Sequence, residues 1–230
     1  MNVIKNLVPV SKYSIKCPYP MDAEVIVVHN TANDATAKNE ISYMIGNNNK
    51  VSYHYAIDDK EIVQGVSEDR NAWHSGDGGN GKGNRKGIGI EICYSKSGGQ
   101  RFIDAEKLSA KFIAFKLNEK GWGIDKVKRH SDYAKKNCPH RTIEMGWQRF
   151  LNMVQTELNI LKGVEIVNKP IAPTQPINNN QPSTWAKADW EWGILNGLVD
   201  GTNPKGNLSR EQFVAVLHRF YLKIKSEKMF

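Results

Sequence analysis

The stretch NKPIAPTQPINNNQPST, residues 168–184, constrains this chain more than any other. It holds four prolines and a run of asparagines with little to bury, so it reads as an extended linker and not as part of a core. The chain is therefore expected to divide into a domain over 1–162, a linker over 163–183 and a small helical module over 184–230. The first piece is long enough to bury its own core. The last, about 45 residues, makes a poor independent core and is expected to pack on a partner or on a second copy. A hydrophobic fraction of 40% with 24% charged residues suits a soluble protein. No apolar run approaches the ~18 residues of a membrane span, so no membrane partner is expected. The N-terminus lacks a basic head followed by an apolar stretch, and synthesis and folding in the cytoplasm without a signal peptide are expected.

The net charge of +8 and sequence pI near 9.3 suggest a polyanionic partner or one within an anionic matrix. The basic residues are scattered, and no zinc finger or RNA-recognition signature is present, so nucleic acid is not expected. Three cysteines, Cys17, Cys93 and Cys138, are too few and too uneven for a disulfide scaffold.

Short β-branched runs alternate with helical periods up to the linker. EVIVVHNT reads as a buried strand ending near His29, and KNEISYMIG as a helix ending at Gly46. VSYHYAID, starting at Val51, reads as a strand with KEIVQGV as its hairpin partner. HSGDGGNGKGNRKG reads as a glycine-rich loop. IGIEICY reads as a strand, with Ile88, Ile90 and Ile92 on one face and Gly89, Glu91 and Cys93 on the other. A helix is expected from Asp104 to about Lys120 on a stripe of Leu108, Phe112 and Phe115. A second, beginning near Thr142, carries Ile143, Trp147, Phe150, Leu151, Val154 and Leu158. This alternation predicts an α/β fold, a central mixed β-sheet flanked by helices. Past the linker, a tryptophan-rich helix with Trp185, Trp190 and Trp192 precedes a second helix, where Ser209 and Gln212 have capping-box spacing.

The segment RHSDYAKKNCPHR, beginning at Arg129, packs His130, Cys138 and His140 among basic residues. It suits a solvated loop, a structural zinc knuckle or half of a catalytic metal site. Zinc prefers histidine nitrogen and cysteine sulfur, and a catalytic zinc keeps three protein ligands. A third ligand could come from a strand end such as His29. Glu91, on an apolar strand opposite the isoleucines, is placed for partial burial and a raised pKa, as a general base needs. Gly76 and Gly81-Lys82 have P-loop spacing. Gly83 replaces the required Ser or Thr, and the segment precedes a strand, so nucleotide binding is rejected.

VIVVHNTA, SYHYAID, AWHSG, IGIEI and RHSDY followed by KNCPH occur in one order that resembles the zinc-dependent N-acetylmuramoyl-L-alanine amidases of the type 2 family. Peptidoglycan recognition proteins and phage endolysins are related to these enzymes. The resemblance covers roughly residues 22–159. It implies a mixed sheet flanked by helices and one Zn2+ held by His29, His130 and Cys138. It also implies hydrolysis of the amide between N-acetylmuramic acid and L-alanine of the stem peptide, with bacterial peptidoglycan as substrate. Glu91 matches the catalytic carboxylate, Lys136 an oxyanion-stabilising lysine, and Tyr53 a tyrosine near the zinc. Trp73 and His74 match the substrate-groove wall. His54 is expected in the core or behind the ligands, His140 as support for the Cys138 loop, and His218 apart from the metal.

Non-catalytic relatives of the same fold commonly lose the cysteine, so Cys138 favours catalysis over binding alone. The C-terminal WAKADWEWGILNGLVDGT and NLSREQF resemble one S-layer homology repeat. That implies binding to an anionic secondary wall polymer, or a homodimer or oligomer. Together these features imply a phage or prophage endolysin that reaches the wall by holin-type release or host lysis, with a host autolysin as the alternative.

Overall fold

In the computed structural model, residues 1–163, 182, 186–195, 198–199, 206 and 210–227 are described. The chain forms two compact units, Met1–Val167 and Asn168–Phe230. The strands are β1 (Ile4–Lys5), β2 (Val25–Asn30), β3 (Tyr55–Ile57), β4 (Ile62–Gln64), β5 (Gly87–Ile92) and β6 (Val127–Arg129). The helices of the first unit are α1 (Tyr13–Lys16), α2 (Ala37–Gly46), α3 (Lys82–Lys86), α4 (Gly99–Glu119), α5 (His140–Glu144) and α6 (Trp147–Leu161). Those of the second are α7 (Lys187–Leu195) and α8 (Arg210–Glu227).

Among the described residues the strands make one mixed sheet in the order β1-β4-β3-β5-β2-β6. The β3–β4 hairpin is antiparallel, and β5, β2 and β6 run parallel beside it. This is the α/β architecture with helix-flanked sheet that the alternation predicts. The β2–β5 register sets the site. Ile26 and Val28 align with Ile88 and Ile90, while Val27 aligns with Gly89 and His29 with Glu91. Alternation sends the two sets to opposite faces. The isoleucine face is the core: Tyr55, aligned with Ile90, packs edge-on against Phe112 of α4 at 4.7 Å between ring centres. Helix α6 lies on α4, tied by Arg149 Nη2 donating to the buried Glu106 carboxylate at 2.6 Å. The other face holds His29 and Glu91.

Several elements differ from the sequence reading. The ladder of the first hairpin strand spans only Tyr55–Ile57 and not the run from Val51, because the amides of Ser52 and His54 go to Trp73 and Gly89 carbonyls outside the hairpin. The glycine-rich loop contains α3, whose start is held by Asp77 accepting from Gly83 and Asn84 N–H. Helix α4 starts five residues earlier than Asp104 and buries a wider face than the predicted stripe, adding Phe102, Ala105, Ile113 and Leu117. The helix expected from Thr142 is two helices. Gly146, at φ +103°, separates α5 from α6 with a backbone turn that other residues rarely adopt. Both helices expected beyond the linker are present as α7 and α8, with Trp192 exposed and Trp190 half-buried. Trp185, Ser209 and the linker stretch apart from Pro182 lie outside the described residues.

His54 is wholly buried and satisfied at both nitrogens: Nδ1 accepts from Gly89 N–H at 3.0 Å, and Nε2 donates to the Arg70 carbonyl at 3.0 Å. Burial holds its pKa down at about 4, against an ordinary 6.5. The unfolded chain therefore takes up a proton between these values that the folded chain refuses. Stability is full above pH 6.5 and falls as the pH drops towards 4, by on the order of 2–3 kcal/mol for this group. Urea titrations of metal-free protein across this range should show the decline, and His54→Gln should flatten it by about one proton; an unchanged slope in the variant would exclude His54 as its source.

Candidate active site

His29 is the penultimate residue of β2, and His130 follows directly on β6, the strand beside it. The third candidate ligand, Cys138, returns after a short loop closed by Ser131 N–H donating to the Cys138 carbonyl at 3.0 Å. Asn30 fastens that return to the sheet. Its side-chain oxygen accepts from Arg141 and Thr142 N–H at 3.0 and 3.2 Å, at the start of α5. The ligand atoms of His29, His130 and Cys138 lie within 4.8 Å of one another, and all three side chains are buried. His29 Nδ1 is 3.0 Å from His130 Nδ1 and 3.8 Å from Cys138 Sγ.

The tautomers follow from the outer partners. His74 Nε2 donates to the Gly87 carbonyl at 3.1 Å, so His74 Nδ1 is an acceptor. It receives His29 Nε2–H at 3.0 Å. His29 Nδ1 is then a lone pair pointing inward. His130 Nδ1 faces it at 3.0 Å. Two imidazole nitrogens 3.0 Å apart beside a sulfur are a donor set that one metal ion can share. The residues fit a metal ion on this ground.

His74 has a second role that its sequence context does not show. It lines the groove, as expected of AWHSG, but it also backs His29 as the outer partner that fixes a ligand's ring. Gly89 makes room for it: a Cβ there would lie 2.8 Å from the His74 ring. Burial, then His54, keep the His74 pKa at about 3. Burial, with His74, His130 and Lys136, keeps His29 well below its usual range. Burial, then Lys136, lowers His130.

Glu91 is level with His29 on the same face. Its Oε2 is buried and without a hydrogen-bond partner. Burial pushes its pKa up to about 8, with Glu40 adding and Lys136 opposing. Glu40, on α2, is a buried acid that the sequence reading does not single out. Asn33 donates to one of its oxygens, and the Tyr53 hydroxyl donates to the other at 2.9 Å. Tyr53 is thus tied to Glu40; it is neither in the ligand cluster nor in the groove wall. Its pKa is driven far above the ordinary range by burial and then by Glu40 and Glu91.

A groove of about 540 Å³ opens over the cluster, lined by Lys50, Trp73, His74, Asn84, His130 and Lys136 among others. Lys135 is not among its lining residues. His140 donates towards the Ser95 carbonyl, and His218 is exposed on α8; neither belongs to the cluster. Cys17 and Cys93 are buried free thiols of the core. A trio of metal donors with a raised carboxyl on the same sheet face, next to a groove that reaches His130 and Lys136, can activate water against a polar carbonyl group.

The family described as N-acetylmuramoyl-L-alanine amidase matches residues 19–141, just over half of the sequence, and the chain belongs to it. N-acetylmuramoyl-L-alanine amidase CwlA of Bacillus subtilis (strain 168) is 57% identical over 164 residues, covering 71% of this chain and 60% of that protein. N-acetylmuramoyl-L-alanine amidase XlyB of the same organism is 56% identical over 158 residues, 68% of this chain and 50% of that protein. The chain therefore spans between half and two thirds of these relatives. The solved structure of PlyL superposes with a TM-score of 0.65 at 48% identity, over 67% of this chain and 97% of that one.

Two outcomes are expected. Burial, then Glu91, hold the Cys138 thiol up at about 11, the Asn30 N–H and Lys136 opposing, so it is protonated at pH 8 while both histidines are neutral. Metal uptake at pH 8 should release at least one proton, that of Cys138, measurable by calorimetry in buffers of different ionisation enthalpy; release of none would contradict this ligand set. His74→Ala should weaken metal affinity by about ten- to a hundredfold in competition with a chromophoric chelator, and an unchanged affinity would remove His74 as the partner of His29.

Proposed function

We propose that this chain is a zinc-dependent peptidoglycan amidase that hydrolyses the amide between N-acetylmuramic acid and L-alanine of the stem peptide. The observation that carries the reading is the buried His29–His130–Cys138 trio with an unpartnered Glu91 carboxyl on the same face of the sheet, under an open groove. Family membership and the names of its relatives support the substrate. Two nitrogens and one sulfur are a zinc donor set. The observed separations of 3.0 and 3.8 Å are close to the edges of about 3.3 and 3.6 Å of a tetrahedron with ordinary zinc bond lengths. When bound, zinc supplies a Lewis acid for the scissile carbonyl and lowers the pKa of the attacking water.

The chain's own groups do the rest. Glu91 takes the proton from the attacking water and returns it to the departing L-alanine nitrogen. Its desolvated carboxyl is basic enough for the first transfer and acidic enough for the second. Lys136 donates to the oxygen that gains charge as the carbonyl becomes tetrahedral. Tyr53 holds Glu40, and Glu40 in turn raises the basicity of Glu91; with its hydroxyl proton committed, Tyr53 acts on the reaction through this pair. His74 and Asn30 hold His29 and Cys138 in place.

The C-terminal unit is assigned to wall attachment or self-association on its resemblance to an S-layer homology repeat. Among the described residues no helix is long and apolar enough to cross a membrane. The proposed place of action is the cell wall, reached after holin-type release or host lysis.

Digestion of purified walls tests the reaction. New L-alanine amino ends should appear without new reducing sugars, chelation should stop their release, and zinc should restore it; new reducing ends would identify a glycosidase instead. Glu91→Gln should keep its zinc and lose about 10²–10⁴-fold in turnover, whereas near-wild-type turnover would remove Glu91 as the base.

A further inference from the structure

The groove carries two lysines, Lys50 and Lys136, and no acidic residue is among those lining it. Neither lysine forms a salt bridge with any described acidic residue. Lys136 lies by the ligands, where its charge is felt at His29, His130 and Glu91. Lys50 belongs to another wall. Its Nζ lies 4.6 Å from the centre of the Trp73 ring, and the residue after Trp73 is His74, the partner of His29. A cation held over an indole keeps a defined position at little cost in freedom.

The loop that carries Lys50 is built from beneath. Lys16 is fully buried. Its Nζ donates to Asn47 Oδ1 at 2.9 Å, to the Asn49 carbonyl at 2.7 Å and to the Val51 carbonyl at 3.1 Å. Lys12 Nζ donates to the Ile45 and Gly46 carbonyls at 2.6 and 3.1 Å, at the end of α2. Ser52 then joins loop and ring: its hydroxyl donates to the Lys16 carbonyl and accepts Trp73 N–H at 2.9 Å. Trp73 Nε1 donates to the Ile15 carbonyl at 3.0 Å. A buried ammonium is costly unless its donors are satisfied, so the three acceptors on Lys16 fix the shape of residues 47–51. Lys50 is presented by a preformed wall and not by a loose surface loop.

We propose that Lys50 is a specificity-determining residue that reads the free α-carboxylate of the second stem residue, the γ-linked D-glutamate, with Trp73 as the apolar surface beneath it. This deepens the amidase reading and rests on it. With the scissile bond at the ligand cluster, L-alanine comes first on the departing side. The γ-linked glutamate is next and supplies the first anionic group of the stem. Lys136 is taken by the developing oxyanion, which leaves Lys50 as the cation for that carboxylate. Walls in which this carboxylate is amidated to isoglutamine present a neutral group of nearly the same shape.

The test uses the zinc-loaded full chain with two synthetic muropeptides, N-acetylmuramoyl-L-alanyl-γ-D-glutamyl-diaminopimelate and its D-isoglutaminyl counterpart. The expected result is a preference for the glutamyl form of about three- to tenfold, carried by KM and weakening with added salt. Lys50→Gln should bring the ratio between the two substrates to about one, and Lys50→Arg should keep it. A wild-type ratio near one, or a ratio retained by Lys50→Gln, overturns the assignment while leaving the amidase reading intact. Cleavage of neither substrate by the wild type overturns both.

Discussion

Two imidazole nitrogens 3.0 Å apart are the contact on which the rest of the site depends. The surrounding structure holds the pair in place. His29 cannot turn, because His74 accepts its other nitrogen and is itself fixed on the Gly87 carbonyl. The return of the Cys138 loop is held by Asn30, whose side-chain oxygen accepts from Arg141 and Thr142 N–H. The donors are thus preorganised by the chain around them.

The sheet makes this possible by dividing its labour between faces. Ile88, Ile90 and Ile92 pack the core, while Gly87, Gly89 and Glu91 face the site. A one-residue slip of β5 would bury Glu91 in the core and turn isoleucine towards the metal. The hydrophobic demand of the core therefore also aims the base. The same strand supplies a carbonyl for His74 at Gly87, space for its ring at Gly89 and the carboxyl at Glu91.

Much of this was legible in the sequence, and for definite reasons. The β-branched run ending at His29 and the alternation in IGIEI each specify one structure, and so does the periodicity of α2 and α4. Strands β1 and β6 are two and three residues long, too short for any periodicity, although β6 delivers His130. The helix α3 hides among glycines. Glu40 looks like the solvent face of a helix until Asn33 and Tyr53 are seen to bury it. Tyr53 and His74 could be associated with the site by motif. Their actual partners, Glu40 and His29, lie 13 and 45 residues away, and no local pattern encodes them. Gly89 offered the one available signal for His74, as a glycine inside an otherwise β-branched strand.

The spacing of the ligands has a consequence for how the protein comes to hold metal. His29 is 101 residues from His130 and 109 from Cys138. A zinc knuckle gathers its ligands from one short segment, so the ion can nucleate the fold. Here the donors meet only after β2 has paired with β6 across most of the domain, a long-range parallel pairing of the kind that forms late. The nascent chain offers no site, and loading follows folding. An ion held there would act as a clasp on a finished sheet, joining the first central strand to the last and resisting the opening of that edge.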